Sequence, residues 1–264
     1  RLQPRGAQRV IRHHLRILKG HLAKSDSIEV SEQAGVRYLH FGSEWIQGAM
    51  RINRPNALEL AYTKDFMAAL LLRPEAKRFL LIGLGAGSIA KFIYHHIPES
   101  DLTVVEINPK VLHVAREFFL LPQDDKRLHN VIDDGALYIQ KTLAQFDIIF
   151  VDGFDRHARV GALDTLAFYQ ACRERLTENG LIAVNLFGRT RRFDASINRI
   201  AQAFDDRIVV LPPSEGGNVI AFGVLGDAIE LRGAELKAQV RNLRERAGLN
   251  LSHVVRGLEE TDSV

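Results

Sequence analysis

The chain is poor in cysteine and has no long apolar run. Its 264 residues include one cysteine, Cys172. That excludes an internal disulfide and any metal site built from several thiolates, and it fits a reducing compartment. No apolar stretch reaches the roughly 18 residues that a membrane span needs. Near the start, Val10-Ile11 and Ile17-Leu18 are interrupted by Arg and His, so nothing there reads as a secretory signal. Cytoplasmic location is the expectation these absences leave. No internal repeat and no low-complexity segment is visible, which argues against a solenoid or a linker-rich array. The single tryptophan, Trp45, reads as a core or hinge residue rather than a stacking platform.

Basic charge is concentrated in one place. The formal charge is +3, but residues 1–24 hold seven Arg and Lys and no acidic residue, so the rest of the chain is net negative. A nucleic-acid partner drawn from the overall pI is therefore not expected. The basic arm reads as a solvated tail or a helix lying on its own domain.

What is present is alternation. Residues 28–52 carry short strand-like runs punctuated by Gly35 and Gly42, which predicts a small antiparallel β unit. Apolar residues at helical spacing predict a helix over 57–72. From Phe79 onward, strands and helices alternate. Strands are expected at 79–82, 102–107, 131–132, 146–151 and 181–187, and helices at 88–96, 109–119, 135–144 and 164–178. After a helix near 194–205 come strands at 208–211 and 218–225, the latter a candidate for antiparallel pairing at an edge, and a terminal helix at 233–247. This predicts an α/β fold with a Rossmann-like parallel sheet covered by helices on both faces. The division expected is a basic arm (1–27), a small β unit (28–56) and a Rossmann-like nucleoside-binding catalytic domain (57–264).

The glycine loop Gly83-Leu84-Gly85-Ala86-Gly87 lies between the first core strand and its helix. Glycines there let a ligand approach the backbone, and a helix N-terminus offers free N–H donors. Glu106 ends the next strand, 19 residues past Gly87, where a carboxylate can accept ribose hydroxyls. The loop spacing is not the Gly-x-Gly-x-x-Gly of dinucleotide sites. Asp134-Gly135 follows the third strand, where Asp134 can meet an adenine amino group or cap a helix. Together these favour an adenosyl sulfonium ligand over a nicotinamide cofactor. At the end of the fourth strand, Asp152 and Asp155 offer an acidic pocket mouth that can bind a cation or take a proton from an ammonium, unless they only form a turn. The pairs His13-His14 and His95-His96 are sequence neighbours that point in different directions, so no metal site is expected from either. Cys172 reads as a packing residue.

Over residues 28–225 the chain resembles the spermidine synthase family, the polyamine aminopropyltransferases. The matching residues are Gln47, Tyr62 ahead of Phe66-Met67, the Gly83–Gly87 loop, Val105 to Asn108, Asp134-Gly135, Asp152 with Asp155, Phe168-Tyr169 leading to Leu176, and Asn179-Gly180. The resemblance implies a methyltransferase-type sheet and transfer of an aminopropyl group from decarboxylated adenosylmethionine to an amine, releasing methylthioadenosine. No tightly bound cofactor is implied; the nucleoside is a co-substrate. By position, Gly83, Gly85, Gly87, Gln47 and Glu106 would hold the nucleoside, and Asp134 and Gly135 would face adenine. Asp152 would be the base, and Tyr62 and Asp155 would help hold the amine. A homodimer is also implied.

Two departures bear on substrate. Ala86 stands where the family loop carries Asp, and Gly153, Phe154 and Arg156 alter the fourth-strand motif. Residues 213–217 also lack the tyrosine with which the family lines its diamine pocket. Opposite charges 4 Å apart interact by about 4 kcal/mol at an effective dielectric of about 20. Loss of the loop Asp is thus expected to remove a discrimination against the carboxylate of intact adenosylmethionine. The alternatives are a methyltransferase using that intact donor and a non-catalytic nucleoside-binding relative.

Overall fold

A computed structural model describes residues 27–42, 45–153, 161–188, 191–226 and 233–255. The basic arm lies outside the described residues, as do Phe154, Asp155 and Arg156. Strands β1 (Ile28–Gln33), β2 (Val36–Phe41) and β3 (Ile46–Arg51) form an antiparallel three-stranded sheet. Two short helices follow, α1 (Ala61–Phe66) and α2 (Ala69–Leu72).

The core then alternates as its apolar pattern demands. It runs β4 (Arg78–Ile82), α3 (Ser88–His96), β5 (Asp101–Glu106), α4 (Pro109–Phe119), β6 (Leu128–Ile132), α5 (Gly135–Lys141) and β7 (Phe146–Val151). A 3-10 turn over Gly161–Asp164 leads into α6 (Leu166–Glu174), β8 (Leu176–Phe187), α7 (Arg191–Ala203), β9 (Ile208–Val210), β10 (Asn218–Val224) and α8 (Gly233–Ala247). The seven-stranded sheet has the order β6-β5-β4-β7-β8-β10-β9. Strands β4 to β8 pair in parallel, while β10 runs antiparallel to both β8 and β9. The strand order reverses at β4, which opens a crevice above the carboxyl ends of β4 and β7.

Period-two alternation divides the core. Phe79, Leu81, Ile148 and Phe150 pack beneath α1 to α4 and α8. Leu80, Ile82, Ile149 and Val151 pack beneath α5, α6 and α7. Cys172 is buried in this second layer, and burial pushes its thiol pKa up, as suits a packing residue. A third cluster, Leu39, Met50, Ala86, Val114 and Phe119, ties the small sheet to the glycine loop and α4. Beside it lies Lys91, fully buried, whose Nζ donates to the carbonyls of Pro55 (2.8 Å) and Phe119 (2.6 Å). Burial lowers its pKa to about 8.

Several boundaries differ from the sequence expectation. The helix expected over 57–72 starts at Ala61, because Glu59 turns back to pair with Arg51 of β3. It is also split: Met67, Ala68, Leu70 and Leu71 make i→i−3 bonds that tighten the middle turn. The helix expected over 164–178 starts at Leu166, where the Thr165 hydroxyl accepts from the Phe168 N–H (3.2 Å), and ends at Glu174. Strand β8 begins at Leu176, and its register against β7 breaks between Phe146 and Ile148, which leaves Thr177 to Gly180 as a bulge. The antiparallel strand β10 sits one place in from the edge, which β9 occupies.

Candidate active site

The carboxyl ends of β4 to β8 deliver their loops to one cleft of about 1300 Å3, with the small sheet as its far wall. Gln47, Tyr62, Gly83, Gly85, Glu106, Asp134, Gly135 and Asp152 all line it. Among the sequence-derived candidates Gly87 does not, and Asp155 lies outside the described residues.

The glycine loop is shaped by close approach. Gly83 has φ +95°, and a Cβ there would sit 2.5 Å from the Asp152 carbonyl oxygen. Only glycine lets the β4 loop and the β7 loop touch at this point. Gly87 has φ +70° and is the residue that turns the loop into α3, against Leu121. Its part is the backbone turn and not the cleft wall.

Glu106 lies at the end of β5, 9% exposed. Its Oε2 accepts from the Leu84 N–H (3.0 Å) and its Oε1 from the Asn108 N–H (2.9 Å). Burial raises its pKa, and these backbone donors pull the other way. Glu106 therefore braces the glycine loop and still presents lone pairs to the cleft. Asp134 is the N-cap of α5: its Oδ1 accepts from Ala136 (2.8 Å) and Leu137 (3.1 Å). The helix-cap reading of this residue is observed, and the residue also lines the cleft.

Asp152 follows β7. Its Oδ1 accepts from Asn185 Nδ2 (2.8 Å) and its Oδ2 from the Tyr62 hydroxyl (3.2 Å). Burial raises its pKa to about 7, against the lowering effect of these two donors. Burial, and after it the same carboxylate, pushes the Tyr62 phenol well above its ordinary value. Asn185, 2% exposed on β8, accepts in turn from Asn218 Nδ2 on β10 (3.0 Å). Neither asparagine is singled out by sequence reasoning; a polar residue inside the apolar run Leu181 to Phe187 is the only signal of the first.

Two further expectations are corrected. Ala86 is 2% exposed and packs on Gly48 of β3, within the cluster of Leu39, Met50, Val114 and Phe119. Its side chain belongs to the seam between loop and small sheet and does not line the cleft, so the charge argument at that position does not describe this cleft. Trp45 is not a core residue: it is 57% exposed, lines the cleft and meets Phe187 edge-on at 5.4 Å.

The described lining has one sign of charge. Among the described residues it includes Glu59, Glu106, Asp134, Asp152 and Glu215, and no Lys, Arg or His. Glu59 is paired with Arg51, and the other carboxylates of the described wall are Glu106, Asp134, Asp152 and Glu215. Such a cleft concentrates cationic ligands. Among the described residues no group of three His, Cys, Asp or Glu side chains is placed to hold a metal ion, and no helix is long and apolar enough to cross a membrane.

Comparison with known proteins identifies the family. The chain is 35% identical over 235 residues to a polyamine aminopropyltransferase of Chromobacterium violaceum, covering 89% of this chain and 90% of that one. A probable spermidine synthase from Corynebacterium glutamicum shares the fold, with a TM-score of 0.69 at 22% identity over 82% of this chain and 83% of that one. Human methyltransferase-like protein 13, solved with SAH, superposes with a TM-score of 0.63 at 26% identity, over 72% of this chain and 93% of that one. Residues 59–204 match the spermine/spermidine synthase domain, and the chain belongs to that family of transferases.

Proposed function

We propose that this chain transfers an aminopropyl group from decarboxylated adenosylmethionine to an amine, releasing methylthioadenosine. The observation that carries the reading is the all-acidic described lining of the cleft, centred on Asp152. Both substrates are cations, a sulfonium with an ammonium arm and a protonated amine. Intact adenosylmethionine would add a carboxylate facing that acidic wall.

In this reading Glu106 receives the ribose, and Gln47 and the Gly83–Gly85 backbone hold the nucleoside against it. Asp134 and Gly135 face the adenine. The attacking amine lies at Asp152, with Tyr62 orienting the carboxylate; the family resemblance assigns Asp155 to the amine as well. The amine nitrogen bonds to the propyl carbon next to sulfur, and the C–S bond breaks with its electron pair going to sulfur. The nitrogen gives a proton to Asp152. A free alkylamine holds its proton to about pH 10, so a base near neutrality is needed, and a carboxylate raised to about 7 suits that role. The sulfonium is already a good leaving group, so alignment and proton removal are the enzyme's main contribution.

The proposal assigns catalysis to residues 57–264, with the β unit of 28–56 closing the nucleoside side. It includes a cytoplasmic location and, as the family resemblance implies, a homodimer; light scattering on the purified chain checks the dimer. The activity test is methylthioadenosine release from decarboxylated adenosylmethionine across a panel of alkylamines. Release with at least one amine is expected. Release with none, while nucleoside still binds, would favour a non-catalytic relative.

A further inference from the structure

The helix that carries Tyr62 has little of its own to fix it in place. α1 is six residues long, and its N-cap, Leu60, makes no side-chain bond to the first turn. A helix this short is marginal by itself, so anchors to the rest of the fold set its position. Phe66 is the apolar anchor, fully buried and edge-on to Phe150 at 5.6 Å. Asp65 is the polar one. It is 6% exposed, where a carboxylate is costly without a partner. Burial raises its pKa, and His253 and its neighbour Lys64 pull the other way.

The partner comes from 188 residues away. Gly248, with φ +65°, follows the last turn of α8. Beyond it Leu249, Leu251, Val254 and Val255 are buried in the same core cluster as Phe66 and Leu70. The Leu251 carbonyl accepts from the N–H groups of Val254 (3.0 Å) and Val255 (3.3 Å), which closes a turn around His253. Asp65 Oδ1 accepts from His253 Nε2 at 2.7 Å. An ionised carboxylate only accepts, so Nε2 carries the hydrogen.

Asp65 lies three residues after Tyr62, so the two side chains leave neighbouring positions on the helix surface. Movement of α1 at one is movement at the other. The Tyr62 hydroxyl is 3.2 Å from Asp152 Oδ2, against a usual O–H···O length of about 2.7–2.8 Å. That bond has little slack, and a further ~0.5 Å takes it out of range. The groups acting on Asp152 from the elements around it are Tyr62 of α1 and Asn185 of β8, and Asn185 does not titrate.

We propose that His253 is a positioning residue: by holding Asp65 it fixes α1 so that the Tyr62 hydroxyl stays on Asp152. This rests on the aminopropyl-transfer reading, in which Asp152 takes the proton of the attacking amine. His253 touches neither substrate nor the reacting atoms, and it acts through α1.

The test is the pH profile of kcat/KM for methylthioadenosine release, with the alkylamine that wild type turns over fastest. It compares wild type, His253→Ala, Tyr62→Phe and the double variant. Donation from Tyr62 lowers the Asp152 pKa. His253→Ala should therefore move the rising limb to higher pH, by up to about one pH unit for a lost hydrogen bond to a charged group. Tyr62→Phe should move it the same way, and the double variant no further than Tyr62→Phe, since both act through one bond. His253→Gln, whose amide can still donate to Asp65, should restore the limb. A merely weakened fold would lower the plateau and leave the limb in place. A limb unmoved in His253→Ala would overturn the proposal, as would shifts that add in the double variant. Failure of every amine to yield methylthioadenosine with wild type would instead overturn the aminopropyl-transfer reading, and this one with it.

Discussion

The two halves of the cleft are built in different ways. The half proposed for the nucleoside is organised on main chain: a glycine loop, backbone N–H groups that brace the Glu106 carboxylate, and a helix N-terminus capped by Asp134. The half proposed for the amine is made by side chains from four separate elements, with Tyr62 from α1, Asp152 after β7, Asn185 from β8 and Asn218 from β10. A backbone-built site tolerates change in its side chains but not in its turns. A side-chain-built site can change its ligand by single substitutions on an unchanged sheet. The halves meet where the Gly83 loop lies against the Asp152 carbonyl.

The largest expected effect separates them most clearly. Asp152→Asn should lower kcat by about 10²–10⁴, the usual weight of a general base, with little change in nucleoside affinity by calorimetry. The wild-type kcat/KM should rise with pH up to about 7 and then level, since the base works only when deprotonated. Asp152→Asn should lose that limb. The same raised pKa makes Asp152 favourable to folding only at low pH, with the benefit lost as pH rises through about 7. The Asn variant should therefore melt higher than wild type at pH 8, a trade of stability for function.

Gly83→Ala should break the comparison, because it strikes the contact between the halves. Its Cβ would overlap backbone, so nucleoside binding and turnover should both fall by at least about tenfold, a loss of about 1.4 kcal/mol or more. Turnover lost with binding intact would mean that the halves are independent there. Asn185→Ala should spare nucleoside binding and lower kcat/KM at pH 7 by about tenfold, from loss of a hydrogen bond to a charged group. Its signature is the pH profile: Asn185 lowers the Asp152 pKa, so the limb should move to higher pH without it. The smallest functional effect is expected of Gly87→Ala. It should cost about 1–2 kcal/mol in denaturant melts, from a left-handed backbone, with nucleoside affinity close to wild type.

The same contrast explains what the sequence makes legible. Glycines after a strand, Glu106 at the end of the next and Asp134-Gly135 after the third can be read from spacing, because main-chain sites recur at fixed places on a parallel sheet. The sheet itself follows from the apolar alternation that the two core layers display. The amine half depends on register. Asn185 and Asn218 meet only because β10 inserts antiparallel beside β8 with Asn218 opposite Phe187, and no local pattern in the chain fixes that pairing. Ala86 is misread for a related reason. Its direction is set by contact with Gly48, far away in sequence. Trp45 looks like core by composition, yet it meets Phe187 on the cleft rim across a gap that only the folded arrangement closes.

The central claim is that an acidic cleft selects a cationic donor. Calorimetric titration of decarboxylated and intact adenosylmethionine into the purified chain tests it most directly, since the two differ by one carboxylate. Tighter binding of the decarboxylated donor, by about tenfold or more, equivalent to about 1.4 kcal/mol, is the predicted result. Equal or tighter binding of intact adenosylmethionine would contradict the claim and turn the search to methyl acceptors.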